Sequence, residues 1–345
     1  MMNLGLSVSI IIPSRNVDYL LHICIEKIRL LYPDVKIVLV LDEILPEDYE
    51  KFDKNVQILK SKKYTMSAKR NQGVDFVDTK YIALIDSDAF PDENWLEIAI
   101  NFLENNKDYS AVTGCQMNWP DDSFAQKCLR LLRFSPLFSH QEWFKIIDCN
   151  TKETDCSEFM TSNVIITRET YKKLNGMCEE FYLAEDNEFS QRMFQNGYKI
   201  RFIPNVRVFH REAKAFSFLR KFFAISNYYG KCFVKGIKIK NNAQTLSQFM
   251  PFIGSCFYLL LLILQFLVFK SQFLMNLLVI FPIACLLLLI YNAIIITKNL
   301  EKRRIQAIIY LFFISILFCF VWVFGTFVGL CFKDFYNNKN GYKHY

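Results

Sequence analysis

The sequence predicts an α/β domain built on a mostly parallel sheet, followed by an α-helical membrane domain. Within residues 8–85, short apolar runs alternate with segments of helical periodicity, as expected for parallel strands joined by helices. Three long, nearly charge-free apolar stretches follow residue 250. Charge is divided in the same way: residues 213–345 carry +13 and residues 1–212 carry −6, which together give the +7 of the chain. An acidic half joined to a basic, apolar half indicates a membrane surface as partner and not a nucleic acid.

The first domain is expected to contain buried strands separated by helices. Apolar runs rich in β-branched residues predict strands at 8–12, 35–41, 56–59 and 81–85. Helical spacing of apolar residues predicts helices over 17–32 and about 65–77. No Gly-x-Gly-x-x-Gly follows the first strand, and no Gly-x-x-x-x-Gly-Lys-Ser/Thr occurs anywhere. The dinucleotide fingerprint and the phosphate-binding loop are therefore both missing, which argues against the commonest dehydrogenases and P-loop enzymes.

Two carboxylates, Asp86 and Asp88, follow the strand at 81–85 and are separated by Ser87. Open α/β folds bind their ligands at the carboxyl edge of the sheet, where this strand is expected to end. Two carboxylates at such an edge suit a hard divalent cation that also holds phosphate oxygens. The alternative is a strand-terminal turn in which the two side chains bond to backbone amides.

Several segments, in this order, resemble the motifs of the family 2 glycosyltransferases, which have the Rossmann-like GT-A fold. They are Val8–Asn16, Ala68–Gly73, Tyr81–Pro91, Ser162-Asn163 with Gly176, Ala184–Met193, and Gly197-Tyr198 with Val208–His210. The resemblance covers about residues 7–211. One departure is clear, because the family's second strand usually ends in Asp-Asp-Gly-Ser and this chain has Asp42-Glu43-Ile44-Leu45. The identity of the nucleotide is therefore left open.

The resemblance implies a nucleotide-sugar donor and a divalent cation, Mg²⁺ or Mn²⁺. It makes Asp88 a direct metal ligand, Asp86 a contact to ribose or to a metal-bound water, and His210 a further ligand. A lone His after a strand is also commonly structural. The expected contacts to the nucleotide sugar are Pro13, Ser14, Arg15, Asp42, Lys69, Arg70, Asn71, Asp86 and Ser87.

Lys69 and Arg70 would neutralise phosphate oxygens, the arginine through a two-pronged hydrogen bond. The alternative for this pair is a solvated helix face. The resemblance also implies an inverting reaction with Asp186 as the base for the acceptor hydroxyl. Glu185 is then an acceptor-binding or substitute base. The alternative for these two acids is a helix start, which favours negative charge through the helix dipole.

The membrane half is predicted to contain three transmembrane helices, at about 251–269, 273–297 and 307–332. Residues 1–212 form the catalytic domain, 213–250 an interfacial amphipathic linker, and 333–345 a short tail. Basic residues cluster before the first span and between the second and third, so the positive-inside rule predicts a cytoplasmic catalytic domain and an outside carboxyl terminus in the inner (plasma) membrane. Segment 119–144, with Trp119, Trp143, Arg130 and Arg133, is either an acceptor-side helix on the bilayer surface or an ordinary packed helix.

The 11 cysteines are scattered singly and form no Cys-x-x-Cys pair, so we expect reduced thiols in a cytosolic compartment. The amino terminus shows no cleavable signal segment. Taken together, these features predict a membrane-anchored glycosyltransferase that acts on a lipid-linked glycan in cell-envelope or surface polysaccharide synthesis. The alternatives are a polyprenyl-phosphate sugar synthase and a non-catalytic membrane scaffold. A channel is disfavoured because no Asp, Glu, Lys or Arg lies in mid-span.

Overall fold

The computed structural model describes residues 4–135, 137–138, 149–180, 183, 185–234 and 242–332. The described residues group into two compact units, the first within Met1–Asp122 and Gln141–Arg211, the second within Ser123–His140 and Glu212–Tyr345. The last junction follows Arg211, one residue before the boundary predicted after Glu212. Segment 123–140 differs from the expectation, because it belongs with the second unit and not with the first. The predicted tail 333–345, Ala184 and Trp143 lie outside the described residues.

Eleven strands are described. They are β1 Val8–Ser14, β2 Lys36–Leu41, β3 Val56–Lys60, β4 Tyr81–Leu84, β5 Ala89–Pro91, β6 Tyr109–Thr113, β7 Gln116–Asn118, β8 Thr154–Cys156, β9 Val164–Thr167, β10 Lys199–Phe202 and β11 Val208–His210. The helices of the first unit are α1 Leu4–Ser7, α2 Tyr19–Leu31, α3 Met66–Asp75, α4 Trp95–Asn105, α6 Arg168–Lys173 and α7 Glu185–Gln195. Those of the second are α5 Phe124–Leu131, α8 Ala215–Val234, α9 Asn242–Ile263, α10 Gln272–Ile296 and α11 Arg304–Cys331.

The main sheet has eight strands in the order β3-β2-β1-β4-β9-β6-β10-β8. Strands β1 to β4 are mutually parallel where they pair, which confirms the predicted sheet. Strand β9 then runs antiparallel between β4 and β6, and β8 pairs antiparallel with β10. The apolar side chains of β1, β2 and β4 are fully buried between helices, including Ile10, Ile12 and Leu39. Burial on both faces explains why these strands read as continuous apolar runs.

A second sheet has three strands in the order β5-β11-β7, and its first strand in the chain, β5, begins five residues after the end of β4. Strand β11 pairs antiparallel with β5 and parallel with β7. It aligns His210 with Ala89 on one side and with Asn118 on the other. Ala89, the residue that follows Asp88, is thereby held next to His210.

The second unit contains three helices that are long and apolar enough to cross a membrane. They are Phe249–Leu267, Gln272–Ile296 and Arg304–Cys331. These ranges agree with the predicted spans to within three residues at each end. The helices have the length of membrane spans and present large exposed apolar side chains, which indicates association with a membrane.

Helix α8 packs lengthwise against α11, and small residues make the close approach feasible. A Cβ on Gly325 would lie 2.7 Å from the carbonyl oxygen of Phe223, and one on Gly329 would overlap the backbone of Asn227. Phe218 contacts Phe318, and Gly230, further along α8, lies against Gly329, further along α11. The two helices therefore run in the same direction. Helix α8 lies within segment 213–250, which the sequence predicts to be an interfacial linker.

The expectation of reduced thiols throughout is wrong, because Cys115 and Cys149 form a disulfide. Their Cα atoms lie 5.3 Å apart, although 34 residues separate them in the sequence. The fold brings the chain segment after β6 next to the segment before β8, and no local spacing reveals such a contact. Eight further cysteines in the described part of the chain are free thiols.

Candidate active site

The carboxyl ends of β1, β2 and β4 lie side by side, with Ser14 as the last residue of β1, Asp42 directly after β2 and Asp86 two residues after β4. Parallel pairing aligns Ser14 with Leu41 and Ile11 with Leu84, so the loops that leave these strands share one edge. This is the edge at which open α/β sheets bind ligands.

An acidic cluster at this edge has the composition of a metal site. Asp86, Asp88 and His210 each place one ligand atom within 4.8 Å of the others. The Nε2 atom of His210 is 3.5 Å from Asp88 Oδ1 and 3.9 Å from Asp86 Oδ2. Strand β11 brings His210 there, and the backbone N–H of Arg211 donates to Asp88 O at 2.9 Å. Two carboxylates and an imidazole suit a divalent ion such as Mn²⁺, because an imidazole is a better ligand for a transition metal than for Mg²⁺.

Helix α3 supplies three consecutive polar residues that reach into the site. Thr65 caps the helix by accepting from the Ala68 N–H. Gly73 allows the helix to approach β1, since a Cβ there would lie 2.5 Å from Ile11 Cγ2. Lys69 and Arg70 are buried, which excludes the alternative that they form a solvated helix face.

Lys69 forms a buried ion pair with Asp42. Its Nζ atom donates to Asp42 Oδ2 at 2.5 Å and to the carbonyl of Ser14 at 2.9 Å. Burial lowers the pKa of Lys69, opposed by the Asp42 carboxylate. Burial likewise raises the pKa of Asp42, opposed by Lys69. The second oxygen of Asp42, Oδ1, is buried and accepts no hydrogen bond from the described protein.

Arg70 bridges the acidic cluster to helix α7. It donates from Nη2 to Asp86 Oδ1 and from Nη1 to Glu185 Oε1, each at 2.8 Å. Burial lowers the pKa of Arg70, but the two carboxylates outweigh this effect and the net shift is upward. Asp86 therefore takes its hydrogen bond from a guanidinium and not from a backbone amide, as the turn alternative would require.

Asn71 holds the loop that precedes α7. Its amide donates to Met177 O at 2.8 Å and to Glu179 Oε1 at 3.2 Å. Its oxygen accepts from Tyr171 Oη at 2.7 Å and from the Met177 N–H at 2.9 Å. All four hydrogen-bonding positions of the side chain are thus used inside the protein. This contact also explains why residue 176 is a glycine. Its φ is +68°, and a Cβ there would lie 2.5 Å from Asn71 Oδ1, so a side chain is excluded.

Helix α7 begins at Glu185, as the sequence predicts, and the two acids are held differently. Glu185 is paired with Arg70 and its side chain is only 14% exposed. Asp186 is half-buried, and its Oδ1 accepts from the Asn187 N–H at 2.8 Å. On the inner face of the same helix, Phe189 and Met193 are fully buried.

The remaining predicted contacts line the same edge. Pro13 and Ser14 are the buried last residues of β1, and Ser14 Oγ donates to Asn16 O. Arg15 forms an exposed ion pair with Glu43, at 3.2 Å, across the ends of β1 and β2. Ser87 is half-buried in the turn between the two aspartates. All predicted site residues therefore lie at the carboxyl edge of the main sheet, or on the helices and the small sheet that border it.

Cys24 was missed by the sequence analysis, and Asn163 was named there only as part of a motif, with no role assigned to it. Cys24 on α2 lies behind the cluster, with Sγ 3.8 Å from Asp86 O. Burial first, and then Asp88 and Asp86, raise the pKa of this thiol, so it stays protonated. Asn163 is fully buried, accepts from Trp95 Nε1 at 2.8 Å and donates to the carbonyls of Cys115 and Val206. Helical spacing marks Cys24 as inward-facing, but no sequence signal shows which group it faces.

The sheet order, the acidic cluster at its edge and the acid pair at the start of α7 define a GT-A-type α/β domain. Residues 9–172 match the family model described as glycosyl transferase family 2, and residues 144–214 match the N-terminal domain of galactosyltransferase. The match identifies residues 9–172 as a glycosyl transferase family 2 domain.

Two curated relatives come from Bacillus subtilis (strain 168). The uncharacterized glycosyltransferase EpsJ is 22% identical over 222 residues, which cover 59% of this chain and 61% of EpsJ. The minor teichoic acid biosynthesis protein GgaB is 28% identical over 109 residues, or 29% of this chain and 12% of GgaB. The chain thus spans less than two thirds of either relative. Among solved structures, the mannosyltransferase PcManGT from Pyrobaculum calidifontis, in complex with GDP-Man and Mn²⁺, superposes with a TM-score of 0.59. It is 13% identical, and the match covers 95% of this chain and 87% of that one, a likeness of fold.

Proposed function

We propose that the protein is a membrane-anchored, metal-dependent, inverting glycosyltransferase that moves a sugar from a nucleotide-sugar donor to a lipid-linked acceptor. One observation carries the proposal: Arg70 joins Asp86 of the acidic cluster to Glu185, the neighbour of Asp186. A group that suits the leaving diphosphate and a group that suits the acceptor hydroxyl are thereby held on the two sides of one guanidinium.

The metal would be held by Asp88, His210 Nε2 and Asp86 Oδ2, since Asp86 Oδ1 is occupied by Arg70. A bound divalent ion supplies positive charge to the departing diphosphate. The mixed oxygen and nitrogen ligands favour Mn²⁺ over Mg²⁺. The solved mannosyltransferase of similar fold carries GDP-Man and Mn²⁺, which supports a donor of the nucleotide-sugar class.

The nucleoside is assigned to the ends of β1 and β2. Asp42 Oδ1 is a buried acceptor without a partner among the described residues, and it suits a ribose hydroxyl or a ring N–H. Lys69 holds the other oxygen of this carboxylate, which fixes its orientation. We assign Lys69 and Arg70 to positioning these carboxylates, and Asn71 to positioning the loop before α7. Pro13, Ser14, Arg15 and Ser87 border the nucleotide in this arrangement.

Asp186 is assigned as the base. The acceptor oxygen attacks the anomeric carbon while its proton passes to the Asp186 carboxylate, and the bond from the anomeric carbon to the diphosphate oxygen breaks. The nucleoside diphosphate leaves with the electron pair, and the configuration inverts. Glu185 is less suited to this role, because its carboxylate is committed to the buried Arg70.

A lipid-linked acceptor is supported by the three candidate membrane helices of the second unit. The similarity to a teichoic acid biosynthesis protein points the same way, toward a cell-envelope glycan. The basic loops favour a catalytic domain on the cytoplasmic side of the inner membrane, with the carboxyl terminus outside. The exact sugar, nucleotide and linkage are set by loops around the pocket.

The test uses the full chain in detergent with Mn²⁺, radiolabelled nucleotide sugars, and two acceptors: polyprenyl phosphate and a polyprenyl-diphosphate glycan. Transfer to the second supports the proposal, and transfer to the first alone identifies a polyprenyl-phosphate sugar synthase. Asp186→Asn is expected to abolish transfer while donor binding persists, because it removes the proton acceptor and keeps the shape. Glu188→Gln, an acid two residues on, is the matched control. Neither transfer nor donor hydrolysis across a broad panel would leave the non-catalytic scaffold as the explanation.

A further inference from the structure

Asn118 presents a buried hydrogen-bond acceptor that the protein leaves unused. The Oδ1 atom of this side chain is buried and has no hydrogen-bond partner in the described part of the chain. A buried amide oxygen without a partner destabilises the folded state, because it has lost its hydrogen bonds to water. Most such groups in folded proteins are satisfied, so each exception calls for an explanation.

The pairing of the small sheet places this side chain on the face of the metal cluster. Strand β7 runs parallel to β11, with Asn118 in register with His210. Neighbouring residues in register on adjacent strands point their side chains to the same face, with strands about 4.8 Å apart. Since His210 directs Nε2 toward Asp88 and Asp86, Asn118 shares the face of the sheet that looks onto the cluster.

The opposite face of the same sheet is closed by aromatic side chains. Phe209 stacks on Phe90 with ring centroids 4.8 Å apart, and Trp119 packs edge-on against Phe90 at 4.7 Å. These residues alternate with His210 and Asn118 along their strands, which agrees with the assignment of faces. The unused oxygen of Asn118 therefore does not belong to this apolar layer.

We infer that Asn118 is a specificity-determining residue that accepts a hydrogen bond from a hydroxyl of the donor's transferred sugar. The inference rests on the proposed function, in which the diphosphate lies at Asp86, Asp88 and His210. The sugar is bonded directly to that diphosphate, so its hydroxyls lie one ring away from the cluster. A sugar hydroxyl is a strong hydrogen-bond donor that a carboxamide oxygen can accept from, and Asn118 Oδ1 is a buried acceptor on this face without a partner among the described residues.

The experiment compares nucleotide sugars with their free diphosphates. The full chain in detergent with Mn²⁺ is titrated calorimetrically with UDP-glucose, UDP-galactose, UDP-N-acetylglucosamine and GDP-mannose, and with UDP and GDP. For the nucleotide sugar that binds, Asn118→Leu is expected to weaken the affinity about tenfold, because the hydroxyl loses its partner. Affinity for the matching diphosphate should change by less than about twofold. Met117→Leu, on the same strand but on the opposite face, is the control.

A second measurement uses donors that lack one hydroxyl at a time. For the wild type, one deoxy donor should bind about tenfold more weakly than the parent nucleotide sugar. For Asn118→Leu, the affinities of this deoxy donor and of the parent nucleotide sugar should agree within about twofold. If Asn118→Leu weakens the binding of nucleotide sugar and of diphosphate equally, Asn118 orients His210 and the inference is overturned. Unchanged donor affinity, as expected for a contact to the acceptor or for no contact, would also overturn it. If the wild type binds diphosphates but no nucleotide sugar, the inference falls together with the proposed function.

Discussion

Arg70 is buried between two carboxylates that belong to different parts of the site. A guanidinium can serve Asp86 and Glu185 at once because its donors point in fixed, divergent directions. A lysine has the same charge, but its three N–H donors lie on one nitrogen at the end of a flexible stem. The planar fork therefore matters more here than the charge.

Arg70→Lys is expected to lower turnover at least about tenfold and to lower the melting temperature, because one carboxylate loses its buried partner. Steady-state transfer and thermal unfolding would be measured together. Arg207→Lys is the matched control, since the Arg207 side chain donates to Pro204 O and Asn205 Oδ1, within three residues of it in the chain. Wild-type turnover in Arg70→Lys would contradict the bridging role.

Among the elements, helix α4 is tied to strand β4 through Glu104. This carboxylate accepts from Tyr81 Oη at 2.8 Å, pairs with Lys80 at 2.6 Å, and also pairs with Lys107. The hydrogen bond from Lys107, followed by those from Lys80 and Tyr81, lowers the pKa of Glu104 from 4.5 to about 2. The folded state therefore holds the ionised form more tightly than the unfolded state does.

The consequence is a dependence of stability on pH with a definite sign. A depressed carboxyl pKa contributes stability above about pH 4.5, and this contribution is lost as the pH falls toward 2. Because the side chain is partly exposed, we expect Glu104 to contribute about 1 kcal/mol to the free energy of unfolding. The loss of melting temperature between pH 6 and pH 3.5 should be smaller in Glu104→Gln than in the wild type. Parallel curves for the two proteins would count against this linkage.

The contact between helices α8 and α11 depends on residues without side chains. Gly329→Ala would place a methyl group against the backbone of Asn227, and such overpacking costs roughly 1–3 kcal/mol. Gly254→Ala on α9 is the control, because a Cβ there meets nothing within 4 Å. Thermal unfolding in detergent should separate the two variants. Equal melting temperatures would show that α8 can shift away at little cost.

At the scale of the molecule, the chain crosses between its two units more than once. Segment 123–140 leaves the first unit and packs within the second, where Leu129 is fully buried and Arg303 lies over the ring of Phe124 at 5.6 Å. A soluble catalytic unit is therefore not a simple amino-terminal fragment.

A chain ending at Arg211 is expected to aggregate, because α5 would expose Leu129 and Cys128 without their covering helices. The same truncation with residues 123–138 replaced by a Gly/Ser linker is expected to be soluble. Size-exclusion chromatography without detergent distinguishes them. A monodisperse peak from the first truncation would refute the assignment of segment 123–140 to the second unit.

Sequence patterns predicted the parts of this fold that depend on local periodicity. The runs at 8–12, 35–41 and 81–85 are buried strands, and Asp86 and Asp88 lie where a carboxyl edge was expected. The antiparallel strand β9 was not foreseen, because Val164–Thr167 is as apolar as a parallel strand. The disulfide joins segments with no local signal. The burial of Lys69 and Arg70 was also missed, since a polar helix normally faces solvent and here its cations are neutralised by carboxylates far along the chain.

Helix α3 sends Lys69 toward Asp42, Arg70 toward Asp86 and Glu185, and Asn71 toward the loop before α7. These three consecutive residues therefore set the spacing of all three parts of the site together. For enzyme engineering, positions that can be changed singly are therefore distinct from positions that change several parts of the site together. A change of donor preference should be sought at Asn118, which can vary without leaving a buried charge unpaired. A library that randomises residues 69–71 would instead shift the nucleotide end, the metal end and the acceptor end together, and most of its members would lose all three.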